Sequence, residues 1–549
     1  MPEALRDRRC TAPYVGAFLF IASFALYLFT LAPTVTFWDS GELIAASWQM
    51  GISHQPGYPL FAVMGRLFSS LPFGNVAYRY NILSAFFSSL TVAVLYLAIR
   101  EAAGEGAGDF LPAAVALTLA PMRVFWSEAV ITEVYALSSF FIVLLALLYI
   151  KAAKGVLDGR RYILASGFLS GLAIINHEAA VLYLPALALT WLLVPIEGGR
   201  ERLKAAAAGI AMMLFGLSVL MYLPLRSAAG PWVNIGHPDN LARFWWTVKW
   251  GEYLREAPAL PSRASWVAGQ AVHTGPMLMI VLTLAVFTVW RLWKMSWRLY
   301  LPLMAFTVIY LMFISFQVLG GAADEKFGLS GKFFAPALIM GLLFMGALAG
   351  DMFRGRAAKG ALAVAFLVLA VFLAARNRTQ SDASRNFIAF DYAQNSLKSV
   401  ATGGVLFTWG DNGAFPLWYV QQVERYRDDA TIIHAPLLTY DWYLKDVEKD
   451  LKTDVDFMDP YFLGENVYRI FKAVTPGRMV AYDYSSTRFL ALDPTDLKQR
   501  GLVFYEGPAP DGDFWQYYVF RGVDDPTVFK GGMEKNIIQI YNFMKEQKQ

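Results

Sequence analysis

The pattern of apolar and polar positions divides the chain near residue 375. Before that point apolar runs occupy 13–32, 79–99, 110–122, 132–150, 162–175, 179–195, 205–225, 275–290, 299–319, 333–350 and 361–375. With ~20 apolar residues needed to cross a bilayer core of ~30 Å, these predict about eleven transmembrane helices, several of them short for a full crossing. After residue 376 the runs shorten to strand length at 405–408, 431–434, 479–482 and 502–505, and alternate with helix-like stretches at 415–426 and 441–451. That alternation predicts an α/β region with a partly parallel sheet. The expected architecture is an α-helical polytopic membrane domain over 1–375 and a soluble α/β domain over 376–549.

Composition agrees with a membrane protein. The 549 residues are 56% hydrophobic and 16% charged, with a mean hydropathy of +0.41, outside the range of a soluble enzyme with one core. A net charge of +4 leaves no footprint for nucleic acid. The single cysteine, Cys10, offers neither an internal disulfide nor a cysteine metal site. Placing the N-terminus in the cytoplasm puts Arg6, Arg8 and Arg9, then Arg100, then Lys151, Lys154, Arg160 and Arg161, then Arg200, Arg202 and Lys204, then Arg291, Lys294 and Arg298, then Arg354, Arg356 and Lys359 in inner loops. By the positive-inside rule the loop 33–78 and everything after 376 then face outward. The expected location is the inner (plasma) membrane of a bacterium, as a multi-pass protein.

The outer loop 33–78 carries the densest polar chemistry. Asp39 and Glu42, three residues apart, share a helix face between Trp38 and Trp48, read here as markers of the membrane interface. Two roles compete for Asp39. It would cap a short helix by accepting from the Glu42 backbone N–H, or it would serve as a base for a substrate presented from the bilayer. In the second outer turn, Glu128, Glu133 and Tyr135 lie on the same side, with Trp126 and Tyr135 alternatively acting as interfacial anchors. Asn176-His177-Glu178 puts ionisable groups at the membrane boundary, where they face a cavity or form an interfacial turn. Arg226 ends a span with a planar fork of donors suited to a phosphate, or else snorkels to the interface. Lys332 is a second candidate phosphate contact. The 231–263 loop is rich in aromatics, with Trp245, Trp246, Trp250 and Tyr253, which would suit sugar stacking or an interfacial helix. Gly346-x-x-x-Gly350 reads as a helix-packing face. Asp411 follows a strand, where open sheets bind ligands, though a turn explains it equally. Asn377-Arg-Thr379 is a glycosylation sequon.

Several of these segments resemble a known family. Leu31-Ala-Pro-Thr-Val-Thr-Phe-Trp-Asp-Ser-Gly-Glu42, Gly51-Ile-Ser-His-Gln-Pro-Gly-Tyr-Pro-Leu60, Gly65-Arg-Leu-Phe68 and Leu71-Pro-Phe-Gly-Asn-Val-Ala-Tyr-Arg79 resemble the opening of the protein O-mannosyltransferase-like membrane proteins of the GT-C superfamily. The 121–135 turn, Tyr222-Leu-Pro-Leu-Arg226 and Phe407-Thr-Trp-Gly-Asp-Asn412 are also similar. Where the family has Asn-Trp-Gly this chain has Asn234-Ile-Gly-His237, a departure that bears on the acceptor.

The resemblance implies an inverting glycosyltransferase that takes a sugar, such as mannose, from a polyprenyl-phosphate donor and passes it to a hydroxyl on a protein or glycan. Asp39 and Glu42 are the implied catalytic residues, with Asp39 the base. The implied substrate-binding residues are His54, Tyr58, Arg66, Glu128, Glu133, Tyr135, His177, Arg226 and Lys332. Membrane lipid is the other partner. No cofactor is required by this reading, and a divalent metal would be compatible with it. The alternative is a polyprenyl-linked sugar or lipid transporter with an outer sensor domain. Its signature would be paired charges in mid-span and repeated halves, whereas the ionisable residues here concentrate at span ends.

Overall fold

The structure is a computed structural model that describes residues 3–249, 296–313, 334–353, 355–475, 477–493, 496–509, 514–525 and 532–546. Its first part is a helical bundle. Seven of its helices are long and apolar enough to cross a membrane: Thr11–Phe29, Val76–Ala103, Tyr135–Ala153, Gly199–Ala228, Ser296–Phe313, Ala335–Met352 and Arg356–Ser381. The protein is therefore a multi-pass membrane protein, with fewer such helices among the described residues than the apolar runs predict. The 110–122 run breaks into a short helix, Phe110–Leu117, and a turn at Pro121. The 179–195 run is a shorter apolar helix, Glu178–Leu193. The 162–175 run becomes Gly159–Asn176, whose Arg160, Arg161 and Asn176 make it too polar to count. The 275–290 run lies outside the described residues.

The Val76–Ala103 helix (α4 in chain order) is the axis of the bundle. Asn75 starts it by accepting from the Tyr78 N–H at 2.8 Å. Gly104, at φ +75, ends it in a conformation that favours glycine. Helix α1 (Glu3–Phe29), helix α7 (Tyr135–Ala153) and the Ala335–Met352 helix pack around it. Gly346 and Gly350 permit the last contact, since a Cβ on either would come within 2.4 Å of Ile99 and 2.6 Å of Ala103. The expected packing face is thus real. A second one was not expected. Gly167 and Gly171 of α8 (Gly159–Asn176) press on α10 (Gly199–Leu217), where a Cβ on Gly167 would meet the Gly209 carbonyl oxygen at 2.2 Å.

Beyond the bundle lies a five-stranded sheet in the order β2-β1-β3-β5-β4. The strands are β1 (Val405–Thr408), β2 (Thr431–His434), β3 (Val480–Tyr482), β4 (Lys498–Arg500) and β5 (Val503–Glu506). β2, β1 and β3 run parallel, while β5 and β4 are antiparallel. β1 and β2 are wholly buried, with adjacent apolar residues at their centres, as parallel strands have. β4 was not expected, because Lys-Gln-Arg carries no apolar signal. The chain leaves β1 towards β2 and later returns on the other side of β1 as β3. This reversal opens a crevice at the C-terminal ends of the strands.

Two features mark the end of the bundle. The 375/376 boundary falls inside the Arg356–Ser381 helix. Asn377, the sequon asparagine, is buried on that helix and donates from Nδ2 to the Pro121 carbonyl at 2.8 Å, so the folded chain does not present it.

Candidate active site

The loop 33–78 folds into two short helices, α2 (Ser40–Trp48) and α3 (Pro59–Phe68). Three of its non-glycine residues, Trp38, Met50 and Tyr58, have positive φ, a local concentration of strain of the kind found at functional sites. Helix α2 lies directly on the Asp411–Gln422 helix that follows β1. A Cβ on Gly41 would stand 2.2 Å from the Phe415 carbonyl oxygen, and the Trp38 N–H donates to Asn412 Oδ1 at 2.7 Å. Trp38 thus faces the sheet region and does not mark the membrane surface. Trp126 is likewise no interfacial anchor. It is buried and donates from its indole to Thr30 Oγ1 at 2.9 Å.

Asp39 sits at the start of α2, but its side chain accepts no bond from the helix N-terminus. The capping role expected of it is not filled. Instead Asp39 lines a cavity of about 420 Å³ with His54, Ile235, Asp411, Phe415, His434 and Leu437. The cavity therefore draws on the loop 33–78, the segment after α11 (Tyr222–Ala228), and the C-terminal ends of β1 and β2.

Glu42 is fully buried one turn on. One carboxylate oxygen accepts the His54 backbone N–H, and the other lies 2.5 Å from His54 Nδ1. Burial alone would push the imidazole pKa down. The adjacent Glu42 carboxylate outweighs that, with further help from Asp39 and Asp411, and raises it to about 10. His54 is therefore a cation at neutral pH. Both Glu42 oxygens are spent on it, which makes Glu42 a positioning residue instead of a second base.

From His54 a chain of rings leads into the bundle. His54 packs edge-on to Tyr58 with centroids 5.1 Å apart, Tyr58 approaches His177 at 6.4 Å, and His177 approaches Tyr135 at 5.2 Å. His177 and Tyr135 line a second cavity of about 600 Å³, otherwise mostly apolar and bounded by Phe141, Leu145, Tyr183, Phe306 and Tyr310 among others. His177 also pairs with Glu178 at 3.3 Å.

The remaining expected residues go elsewhere. Arg226 donates from Nε to the Met50 carbonyl at 2.6 Å and from an Nη to the Gln49 carbonyl at 3.2 Å, which fastens the end of α2. Tyr222 does the same to the Gly51 carbonyl at 2.9 Å. Arg66 is exposed and lies over the Trp48 ring at 4.4 Å, so it does not line the Asp39 cavity. Glu128 and Glu133 are buried, but neither lines that cavity. Lys332, Trp250 and Tyr253 fall outside the described residues. Among the described residues no group of three or more His, Cys, Asp or Glu is placed to hold a metal ion.

Comparison with known proteins gives this geometry a context. A family model described as the protein O-mannosyl-transferase TMEM260 N-terminal domain matches residues 39–197, and one for the TMEM260-associated domain 2 matches 389–456. The chain is 26% identical to mouse protein O-mannosyl-transferase TMEM260 over 504 residues, covering 85% of this chain and 68% of that protein. Over most of its length the chain is thus similar to protein O-mannosyltransferase-like glycosyltransferases. The Dictyostelium discoideum protein O-mannosyl-transferase tmem260 is 22% identical, covering 77% of this chain and 57% of its own length. Among solved structures, ArnT from Cupriavidus metallidurans bound to undecaprenyl phosphate superposes with a TM-score of 0.55 at 12% identity, covering 90% of this chain and 99% of that one. Its apo form gives 0.56 at 11%. At such identities the likeness is one of fold. The two matched family segments, 39–197 and 389–456, begin and end around the halves of the Asp39 cavity, which contains Asp39, His54, Asp411 and His434.

His434 was missed in the sequence. The available signal was a histidine closing the short buried strand Thr431-Ile-Ile-His434, one of only five histidines in the chain.

Proposed function

We propose that this protein transfers a sugar, mannose in the first instance, from a polyprenyl-phosphate donor to a hydroxyl of a protein acceptor on the extracytoplasmic face of its membrane. The observation that carries the reading is the Asp39 carboxylate, unspent on its helix and lining a cavity shared by the membrane bundle and the sheet region. The names of the mouse and Dictyostelium relatives favour mannose and a protein acceptor. The undecaprenyl phosphate named for ArnT suits a polyprenyl carrier.

In this reading the apolar cavity beside Tyr135 and His177 takes the first isoprene units, and the ring chain through Tyr58 leads to the phosphate. His54, held cationic by Glu42, meets the charge that develops on the leaving phosphate. Asp39 takes the acceptor proton as the acceptor oxygen bonds to the anomeric carbon. The bond from that carbon to the phosphate oxygen breaks, and its electron pair leaves with polyprenyl phosphate. Attack opposite the leaving group inverts the anomeric centre. Arg226 serves by holding the end of α2. Residues up to Ser381 form the catalytic membrane unit with its N-terminus in the cytoplasm, and the residues after it form an outer α/β unit that closes the site.

The test is transfer itself. Purified protein is incubated with radiolabelled polyprenyl-phosphate mannose and a membrane extract, and the extract is then split by protease and lipid extraction. Protease-sensitive label of inverted linkage is expected. Label confined to lipid, or none moved by the wild-type protein, would overturn the reading.

A further inference from the structure

His434 ends β2 opposite Thr408 of β1 in the parallel register. Its backbone N–H is satisfied by Tyr443 Oη at 2.9 Å, but both ring nitrogens are buried and, among the described residues, have no hydrogen-bond partner, the residue being 5% exposed. Phe415 and Trp418 hold the ring in place, each with centroids 6.0 Å away. It is one of the residues lining the Asp39 cavity. A buried imidazole with both nitrogens unpaired carries a substantial desolvation cost.

The cavity does not end there. Ile235 and Leu437 form a wall common to it and to a neighbouring cavity of about 450 Å³. Trp418 and Trp442 line this neighbour, and their indole N–H groups are also buried and without partners among the described residues. Its remaining polar lining includes Asp446 and Asp450. Three buried side chains with unmet hydrogen bonds therefore border two adjoining cavities, one at the C-terminal ends of β1 and β2, where open sheets bind ligands, and one running along β2.

Charge selects the occupant. The carboxylates of Asp39, Asp411, Asp446 and Asp450 line these cavities, Asp446 being paired with His237 at 2.8 Å, and among the described lining residues the cationic His54 is on the side that leads through Tyr58 to the bundle. A phosphate would be repelled on the sheet side. An uncharged chain rich in carbonyl and hydroxyl oxygens would satisfy the indole donors. It would also satisfy a neutral imidazole, which donates from one nitrogen and accepts at the other. Burial pushes the His434 pKa down to about 3, which keeps it in that form.

We propose that the two adjoining cavities form the acceptor channel, in which His434 bonds the acceptor beside Asp39 while Trp418 and Trp442 bond the polypeptide flanking the reacting hydroxyl. This rests on the transferase reading given above. His434 is a binding residue and takes no part in the proton transfer assigned to Asp39.

His434→Phe and Trp442→Phe leave an aromatic ring in each place and remove the unpaired nitrogens. Transfer is measured with labelled polyprenyl-phosphate mannose while the protein fraction of the membrane extract is titrated as acceptor, then with the donor titrated instead. The half-saturating amount of acceptor should rise by about 3- to 10-fold in each variant, the loss expected of one hydrogen bond. Donor half-saturation should stay unchanged, and the melting temperature of His434→Phe should equal or exceed wild type, since an unmet polar group has gone. Should His434→Phe fail to fold, the proposal is wrong about its unmet nitrogens and falls for that residue, and Trp442→Phe decides the channel. Unchanged acceptor half-saturation in variants that transfer mannose overturns the channel alone. A wild-type protein that labels no protein overturns the transferase reading and the channel together.

Discussion

Substituting Asp39 separates the two roles that its position invites. A true N-cap carboxylate is worth ~0.5–2 kcal/mol, lost on mutation to alanine and retained in asparagine. Here the helical bond at that turn is made by the Asp39 backbone carbonyl, which accepts from Leu43 N–H at 2.8 Å, and the side chain caps nothing. Asp39→Ala should therefore cost well under ~0.5 kcal/mol. The same change should lower turnover by ~10²–10⁴, equivalent to about 3–5 kcal/mol of barrier at 1.36 kcal/mol per decade. Asp39→Asn should be equally slow, because the amide cannot take a proton. Neither change should weaken donor binding. Thermal melts on both variants, with single-turnover transfer at saturating labelled donor, put the two energies side by side. Asp39→Asn protein that transfers within a few-fold of wild type would refute the base assignment and pass it to Asp411, which lines the same cavity. A melting temperature lowered in Asp39→Ala but not in Asp39→Asn would refute the structural half.

Raised from 6.5 to about 10, the His54 pKa links its pair with Glu42 to stability that is fully present below pH 6.5 and lost as pH rises through about 10; melting curves across that window should slope downward in wild type and lose that slope in His54→Gln. Gly41→Ala should destabilise by ~1–3 kcal/mol or undock α2 from the Asp411–Gln422 helix, because its Cβ would meet the Phe415 carbonyl oxygen at 2.2 Å; a melt equal to wild type would show that the two surfaces are not so close. Arg226→Ala should cost ~1–3 kcal/mol by leaving the Gln49 and Met50 carbonyls unpaired, with donor affinity intact; a weakened donor and an unchanged melt would return Arg226 to the phosphate.

The sequence made legible those features that rest on local periodicity or on a long motif. The β1 and β2 runs are buried throughout and centred on apolar residues because parallel strands are covered on both faces, and their positions could be read directly. Asp39 and His54 stood out within a specific loop. What stayed hidden depends on distant partners. The spacing of Asp39 and Glu42 suggests a cap, but His54, twelve residues on, captures Glu42 instead. Arg226 looked like a phosphate ligand because a fork of donors suits phosphate, yet the same fork suits two carbonyls at a helix end. Glycine pairing between α8 and α10 involves residues some forty apart, and nothing in either helix alone identifies its neighbour. His434 lay in a region where function was sought only at Asp411.

In the proposed transferase, the arrangement of charge assigns each reactant a side. Donor and acceptor must meet at the anomeric carbon, and only the donor carries a formal negative charge. At ~5 Å and an effective dielectric near ~20, one carboxylate repels one phosphate charge by about 3 kcal/mol, so the sheet-side lining of Asp39 and Asp411 discourages the phosphate from entering there. On the bundle side the first charge met beyond the rings of His177 and Tyr58 is the His54 cation, neutralised in the resting protein by Glu42. A leaving phosphate would compete with Glu42 for that proton-bearing ring, strengthening as its charge grows during bond cleavage. Glu42→Gln should then lower the His54 pKa and weaken this assistance, slowing turnover with little change in acceptor half-saturation. The His434→Phe variant should do the reverse, raising acceptor half-saturation and leaving saturated turnover near wild type. If both variants instead altered the same constant, donor and acceptor would not be divided between the two sides of Asp39, and the direction of entry argued here would be wrong.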